Sequence, residues 1–293
     1  MNRLIVKSPA KVNLFLEVLR KRPDGYHDIE TLFEKVALFD IITIRPRENG
    51  ISITTDKPQL PTGRTNLAYR AAKALFEKTG FKGGVWIDIK KNIPIAGGMG
   101  GGSSNAAAVL QGVNNFFKLG LKKTDLIKLG KGLGADVPFF LESSSLAIGS
   151  SRGDELKPLY INNANVWHII IRFNLGISAK WVYGRLNLRL TRHTNDVKIP
   201  VRLLRGSNNI ENLGFSLYNR LEEVVFNRFN APAAAKAALL EEGAYGAVLS
   251  GSGPTVFGIV KSREEGIAVK NRIQQRLSRC GAKALVVGTA KGA

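Results

Sequence analysis

Apolar and polar positions alternate with the period of a β-strand at residues 38–45 and 50–55, and the apolar runs at 4–7, 12–19 and 85–90 read the same way. Ser8-Pro9-Ala10-Lys11 separates the first two runs, and Arg22-Pro23-Asp24-Gly25-Tyr26-His27 carries the Pro and Asp-Gly chemistry of a turn. The spacing then changes to that of a helix: Leu67, Ala68, Ala71, Ala72, Leu75 and Phe76 share one face, with Thr65 as N-cap and the helix running through 78. A further helix is predicted over 124–132. It is followed by an apolar strand ending at 141, with Asp136 at its mouth, and by a turn into another strand over 143–149. Pro158 and a polar stretch interrupt the pattern near 155–165. Beyond them strands are predicted at 166–172, 246–249, 255–260 and 282–287, with helices at 179–185, 217–227, 233–241 and 263–279. Residues 186–210 are basic and aperiodic, which predicts a long, mobile excursion. This order predicts an α+β fold with antiparallel pairing, divided into domains at 1–160 and 161–293.

Between the strand at 85–90 and an alanine-rich helix beginning near Asn105 lies Pro94-Ile95-Ala96-Gly97-Gly98-Met99-Gly100-Gly101-Gly102-Ser103-Ser104. Glycine lets the backbone take positive φ and approach a bulky anion with no Cβ in the way. The serines are placed to cap the helix, whose free N–H groups and dipole favour phosphate. A flexible linker is the competing reading, but linkers do not join a good strand to a good helix. No G-x-x-x-x-G-K-[ST] occurs, so this cradle is not the common P-loop. Gly130-Lys131-Gly132-Leu133-Gly134-Ala135 matches a dinucleotide fingerprint in letters only, because it ends a helix instead of following a strand.

A hydrophobic content of 44% with 23% charged residues is that of a globular protein, and no apolar run approaches the ~20 residues of a membrane span. The first residues lack signal-peptide architecture, and the single cysteine, Cys280, excludes an internal disulfide; both predict a cytoplasmic protein. The net charge of +20 raises nucleic acid as a partner. The densest block, residues 172–205, has eight Lys/Arg against Asp196, yet lacks the interleaved aromatics of a single-strand binder. Steering of polyanionic small molecules accounts for part of the charge, and no specific nucleic-acid partner is expected. His168 reads as a core residue, and His193 falls in the basic excursion. No cluster at metal-ligand spacing is evident, so a Mg²⁺ ion would arrive on a nucleotide triphosphate held by the cradle, with Ser104 a possible protein ligand.

Three motifs together narrow the chemistry: Ser8-Pro9-Ala10-Lys11-Val12-Asn13, the glycine cradle, and Leu249-Ser250-Gly251-Ser252-Gly253-Pro254-Thr255. In this order, with the Arg22–His27 turn and Gly134-Ala135-Asp136-Val137-Pro138-Phe139-Phe140, the chain resembles the GHMP kinase superfamily over nearly its whole length. It is most similar to the branch acting on 4-diphosphocytidyl-2-C-methyl-D-erythritol. Met99 stands where that family usually has leucine, a swap of similar volume. The resemblance implies a ribosomal-S5-like N-terminal domain, an α/β sandwich C-terminal domain, and substrate in the cleft between the halves. It implies transfer of the ATP γ-phosphate to the 2-hydroxyl of that cytidyl alcohol in non-mevalonate isoprenoid synthesis.

A carboxylate such as Asp136 can orient a hydroxyl and take its proton, although position alone also allows a turn or N-cap aspartate. A lone Lys11 would read as a solvated strand-end charge. The resemblance makes Asp136 and Lys11 the catalytic pair, and places Asn13, Tyr26 and His27 on the substrate, with His27 at the cytosine edge. Tyr183 falls where the family offers a stacking aromatic, and its helical spacing with Leu186 also fits a core residue. The rivals are another GHMP kinase, a nucleic-acid binder on an S5-like fold, and a nucleotide-binding scaffold without activity. A monomer or a homodimer fits equally.

Overall fold

The computed structural model describes residues 3–161, 165–188, 195–206, 209–279 and 281–290. Cys280, His193 and the polar residues 162–164 lie outside them. The chain divides into two compact units, one from Met1–Ala10, Leu38–Ile95 and Gly100–Ser143, the other from Lys11–Ala37, Ala96–Met99 and Ser144–Ala293.

Two long strands, β1 (Leu4–Lys21) and β2 (His27–Arg47), contribute residues to both units. The expected break at Ser8-Pro9-Ala10-Lys11 does not occur, and β1 runs straight through it. Proline's fixed φ suits extended backbone. The polar residues there are buried with partners of their own: Ser8 Oγ lies 2.7 Å from Ser104 Oγ, and the Lys11 N–H donates to the Met99 carbonyl at 3.0 Å.

In the first unit β3 (Gly50–Thr55) runs parallel to β4 (Gly84–Lys90), and β4 pairs antiparallel with the second part of β2. Ile42, Ile44, Ile53, Ile87 and Ile89 are buried on this sheet. Helix α1 (Leu67–Thr79) buries Ala68, Ala71, Ala72 and Leu75; its N-cap is Asn66, not Thr65, because the Asn66 side chain accepts from the Ala68 N–H at 2.8 Å. Helix α2 (Gly101–Phe116) lies so close to the sheet that a Cβ on Gly112 would fall 2.5 Å from Ile44 Cδ1. It packs beside α1, α3 (Lys123–Leu133) and α4 (Val137–Leu141). The expected strand at the end of the 134–141 segment is this last helix. A fully buried apolar run carries no period, and Pro138 in the first turn sets a helical φ.

In the second unit β5 (Leu146–Ser150) pairs with Thr31–Glu34 of β2 and with β6 (Glu155–Leu159). Pro158 therefore sits within a strand, at an edge where its missing N–H is tolerated. β7 (Trp167–Phe173) lies inside a four-stranded antiparallel sheet. Helices α5 (Ala179–Tyr183), α6 (Lys198–Arg205) and α7 (Ile210–Phe215) follow it. Part of the expected excursion is thus helical, with Val197, Val201 and Leu204 giving α6 a buried face. The expected helix at 217–227 is instead β8 (Tyr218–Asn219), parallel to β1, and then α8 (Glu222–Arg228). Next come α9 (Asn230–Glu241), β9 (Gly246–Leu249), β10 (Val256–Val260), α10 (Arg263–Arg279) and β11 (Ala282–Gly288), and the sheet order is β11-β7-β10-β9. Ile169, Ile171, Leu239, Val256, Val269 and Ile273 form its core. His168 is fully buried there, 3.2 Å from Glu34, as a core residue should be.

Candidate active site

The glycine cradle joins β4 to α2. Gly98 and Gly100 have φ of +76° and +67°, a region in which residues with a Cβ are strained. A Cβ on Gly98 would also fall 2.1 Å from the Ser250 carbonyl oxygen, so only glycine fits. α2 begins at Gly101, before the serines, and has no side-chain cap and no acidic residue in its first turn. The expected serine cap is absent because Gly100 occupies that position. The backbone N–H groups at such a helix start are the donors an anionic ligand would use. Around them Pro94 is half-buried, Ile95 and Ala96 are exposed, Gly97 and Met99 are buried, and Ser103 is half-buried beside them.

Beneath the cradle lies a buried polar network within the first unit that the sequence did not announce. Lys91 Nζ pairs with the fully buried Asp40 carboxylate. Asp40 also accepts from the backbone of Asn92 (2.7 Å) and Ile93 (2.9 Å) and from Asn105 Nδ2 (2.9 Å). Asn105 Nδ2 further donates to Ser8 Oγ at 3.0 Å, and Ser8 meets Ser104. The first turn of α2 is thereby fastened to β1, β2 and the segment leaving β4.

Asp136, in the same unit, precedes α4 with φ −81° and ψ −13°. It is the N-cap residue of that helix by position, as the alternative reading allowed, but its carboxylate makes no cap bond to it. The turn that carries it lies against the cradle helix: a Cβ on Gly134 would come 3.8 Å from Ser103 Oγ.

The second unit holds Lys11 and Asn13. Lys11 is buried, and its Nζ donates to Asn13 Oδ1 at 2.7 Å and lies 5.2 Å from the centre of the Phe33 ring. Asn13 Nδ2 donates to Thr31 Oγ1 (2.8 Å), whose hydroxyl donates to the Phe15 carbonyl (2.6 Å). The Lys11 ammonium is thus held in place and is not the solvated charge that a lone lysine suggests.

Also in this unit, the His27 and Tyr183 rings lie 5.2 Å apart, centre to centre, with Tyr183 half-buried on α5. Burial, and next the charge of Lys21, hold the His27 imidazole below its ordinary range. Tyr26 is 55% exposed with the Arg152 guanidinium 5.2 Å from its ring centre. The turn that carries Tyr26 and His27 is fastened by Arg22, which donates to Asp28 (2.7 Å) and Ser151 (3.0 Å). Bonds from Arg20 and Arg22 hold the Asp28 carboxyl below the usual carboxylate range.

Among the described residues no group of three or more His, Cys, Asp or Glu could hold a metal ion, and no helix is long and apolar enough to cross a membrane. The Ser104 hydroxyl, the one protein ligand the sequence suggested for a divalent cation, is buried against Ser8 Oγ at 2.7 Å.

Comparison with known proteins decides the family. Residues 66–144 match the GHMP kinases N terminal domain and residues 202–279 the GHMP kinases C terminal domain. A 4-diphosphocytidyl-2-C-methyl-D-erythritol kinase from Syntrophus aciditrophicus is 42% identical over 89% of this chain and 91% of its own. The chain belongs to the GHMP kinase family. A second relative of the same name, from Syntrophotalea carbinolica, is 41% identical over 92% of this chain and 94% of its own. A solved structure of 4-(cytidine 5'-diphospho)-2C-methyl-D-erythritol kinase superposes with a TM-score of 0.80 at 32% identity, covering 98% of this chain and all of that one. Homoserine kinase from Cytophaga hutchinsonii shares the GHMP fold at 21% identity and a TM-score of 0.75, over 99% of this chain and 95% of that one.

Proposed function

We propose that this GHMP kinase transfers the γ-phosphate of ATP to the 2-hydroxyl of 4-diphosphocytidyl-2-C-methyl-D-erythritol. Identity of about 40% across nine-tenths of the chain to relatives named for that kinase carries the reading. The open start of α2 supplies backbone donors for the nucleotide phosphates, and its dipole favours their charge. In the reaction the substrate oxygen attacks the γ-phosphorus, the bond to the β–γ bridging oxygen breaks, and ADP leaves. Asp136 takes the hydroxyl proton. Lys11 balances negative charge on the reacting oxygen and the moving phosphoryl group. Asn13, Tyr26, His27 and Tyr183 hold the cytidyl substrate, with a neutral His27 able to hydrogen-bond the cytosine edge. Mg²⁺, carried on the nucleotide, neutralises phosphate charge when bound.

By this reading residues 1–160 form the ATP-binding and catalytic domain and 161–293 the C-terminal domain of a cytoplasmic enzyme, monomeric or homodimeric. The decisive experiment incubates the purified protein with ATP and Mg²⁺ and with the cytidyl alcohol, homoserine or mevalonate in parallel. ADP with a new phosphomonoester on the cytidyl alcohol alone is expected; turnover of homoserine or mevalonate instead would redirect the reading within the family.

A further inference from the structure

The third motif, Leu249–Thr255, has no assigned part in the chemistry, yet within the second unit it backs both the cradle and Lys11. The Ser250 hydroxyl donates to the Gly98 carbonyl at 3.1 Å. A Cβ on Gly251 would lie 3.0 Å from the Gly98 carbonyl oxygen, 3.3 Å from Lys11 Nζ and 3.4 Å from Asn13 Oδ1. The α-carbon face of Gly251 is therefore a wall against which the Lys11 ammonium rests, and a shift of this turn moves that wall.

One side chain from outside the turn braces it. Asn219, buried in β8, donates from Nδ2 to the carbonyls of Leu249 and Gly251, both at 2.8 Å. Its Oδ1 accepts from the Leu221 N–H at 2.9 Å, so both ends of the amide are engaged. β8 pairs with β1 in the register Leu16↔Asn219, and β1 carries Lys11 and Asn13. Asn219 thus ties the turn to the strand that bears the lysine. Aspartate there would set an acceptor against two carbonyl oxygens, and alanine would leave both without this donor.

We propose that Asn219 is a positioning residue for phosphoryl transfer, fixing the Lys11 ammonium through the Ser250–Gly253 turn. The inference rests on the kinase reading, in which Lys11 meets the transferring group. Misplacement by about an ångström can slow an enzyme on the order of 10²-fold. Asn219→Ala should lower kcat roughly 10- to 100-fold, with the KM for ATP within about twofold of wild type.

A double-mutant cycle with Lys11→Met tests this, using radiolabelled ATP to follow slow turnover and calorimetric ATP titration to count folded sites. If Asn219 acts through Lys11, Asn219→Ala changes kcat per folded site less than about threefold once the ammonium is gone. Gly251→Ala, whose Cβ would press on the Lys11 ammonium and on the Gly98 carbonyl from the turn itself, should show the same loss and the same non-additivity. Equal factors with and without the Lys11→Met substitution, for both variants, would overturn the inference while leaving the kinase reading intact. Absence of turnover in the wild-type protein would overturn both.

Discussion

His27 is the residue whose charge state matters most near neutrality. Burial and the neighbouring Lys21 charge lower its pKa from an ordinary value of 6.5, so the folded protein holds it neutral at physiological pH. As pH falls, the unfolded chain takes up this proton before the folded one, so folding loses stability once pH drops below about 6.5. In the proposed role, protonation replaces an acceptor nitrogen with a donor at the cytosine edge. The KM for the cytidyl alcohol should therefore stay flat from pH 8 to 6.5 and rise below it, while the KM for ATP does not follow. His27→Gln should abolish that rise, and a parallel rise in the variant would assign the titration to another group. At Asp136 the expectation is different. Asp136→Asn keeps the shape and removes the proton acceptor, so turnover should fall about 10²–10⁴-fold while calorimetry finds ATP affinity unchanged. Near-normal turnover would reduce Asp136 to a turn residue.

At the scale of the element, the start of α2 separates two kinds of glycine. A Cβ on Gly102 would meet Leu67 Cδ1 at an ordinary 3.5 Å, whereas one on Gly101 would press Ile93 and the Lys91 ammonium at 3.0 Å. Gly102→Ala should leave stability unchanged or raise it by up to ~1 kcal/mol, yet weaken ATP binding in calorimetry if phosphate approaches that face. Undiminished affinity would place the phosphates elsewhere. Beneath the helix, Lys91→Met leaves the Asp40 carboxylate buried without its cation, which should destabilise the fold by about 3–5 kcal/mol in thermal unfolding. Adding Asp40→Asn should recover part of that loss. These elements also show where the sequence was readable. The strands at 84–90, 246–249 and 256–260 and the helices at 67–79 and 263–279 announce themselves through local period. Period is silent where burial is complete, so α4 read as a strand, and where polar residues find distant partners. Ser8 and Ser104 are 96 positions apart and Lys91 and Asp40 are 51 apart, so the unbroken β1 and the network under the cradle had no local signal. Motif order singled out Lys11, Asp136 and the cradle as candidates, but not the Asn219 amide that braces the third motif.

For the whole molecule the open question is its charge, 43 Lys and Arg against 23 Asp and Glu. Some of these cations are committed locally, as in Arg22 with Asp28, Lys91 with Asp40, Lys236 with Glu222 and Arg276 with Glu241. In the densest basic block, α6 turns Val201 and Leu204 inward and leaves Arg202 and Arg205 exposed, a solvated face without exposed aromatics among them. Such a surface attracts polyanions without reading them. Two consequences can be measured together. Single- and double-stranded DNA should bind only in the non-specific range of roughly 10⁻⁴–10⁻⁶ M at physiological salt, with affinity falling steeply and linearly in log salt. For the enzyme, both ATP and the cytidyl diphosphate are anions, so added salt should lower kcat/KM through slower capture while leaving kcat nearly constant, because chemistry after binding gains nothing from steering. A sequence-dependent DNA or RNA complex tighter than micromolar at physiological salt would mean that the basic surface recognises nucleic acid in its own right. Salt-independent kcat/KM would mean that the positive field has no part in substrate capture.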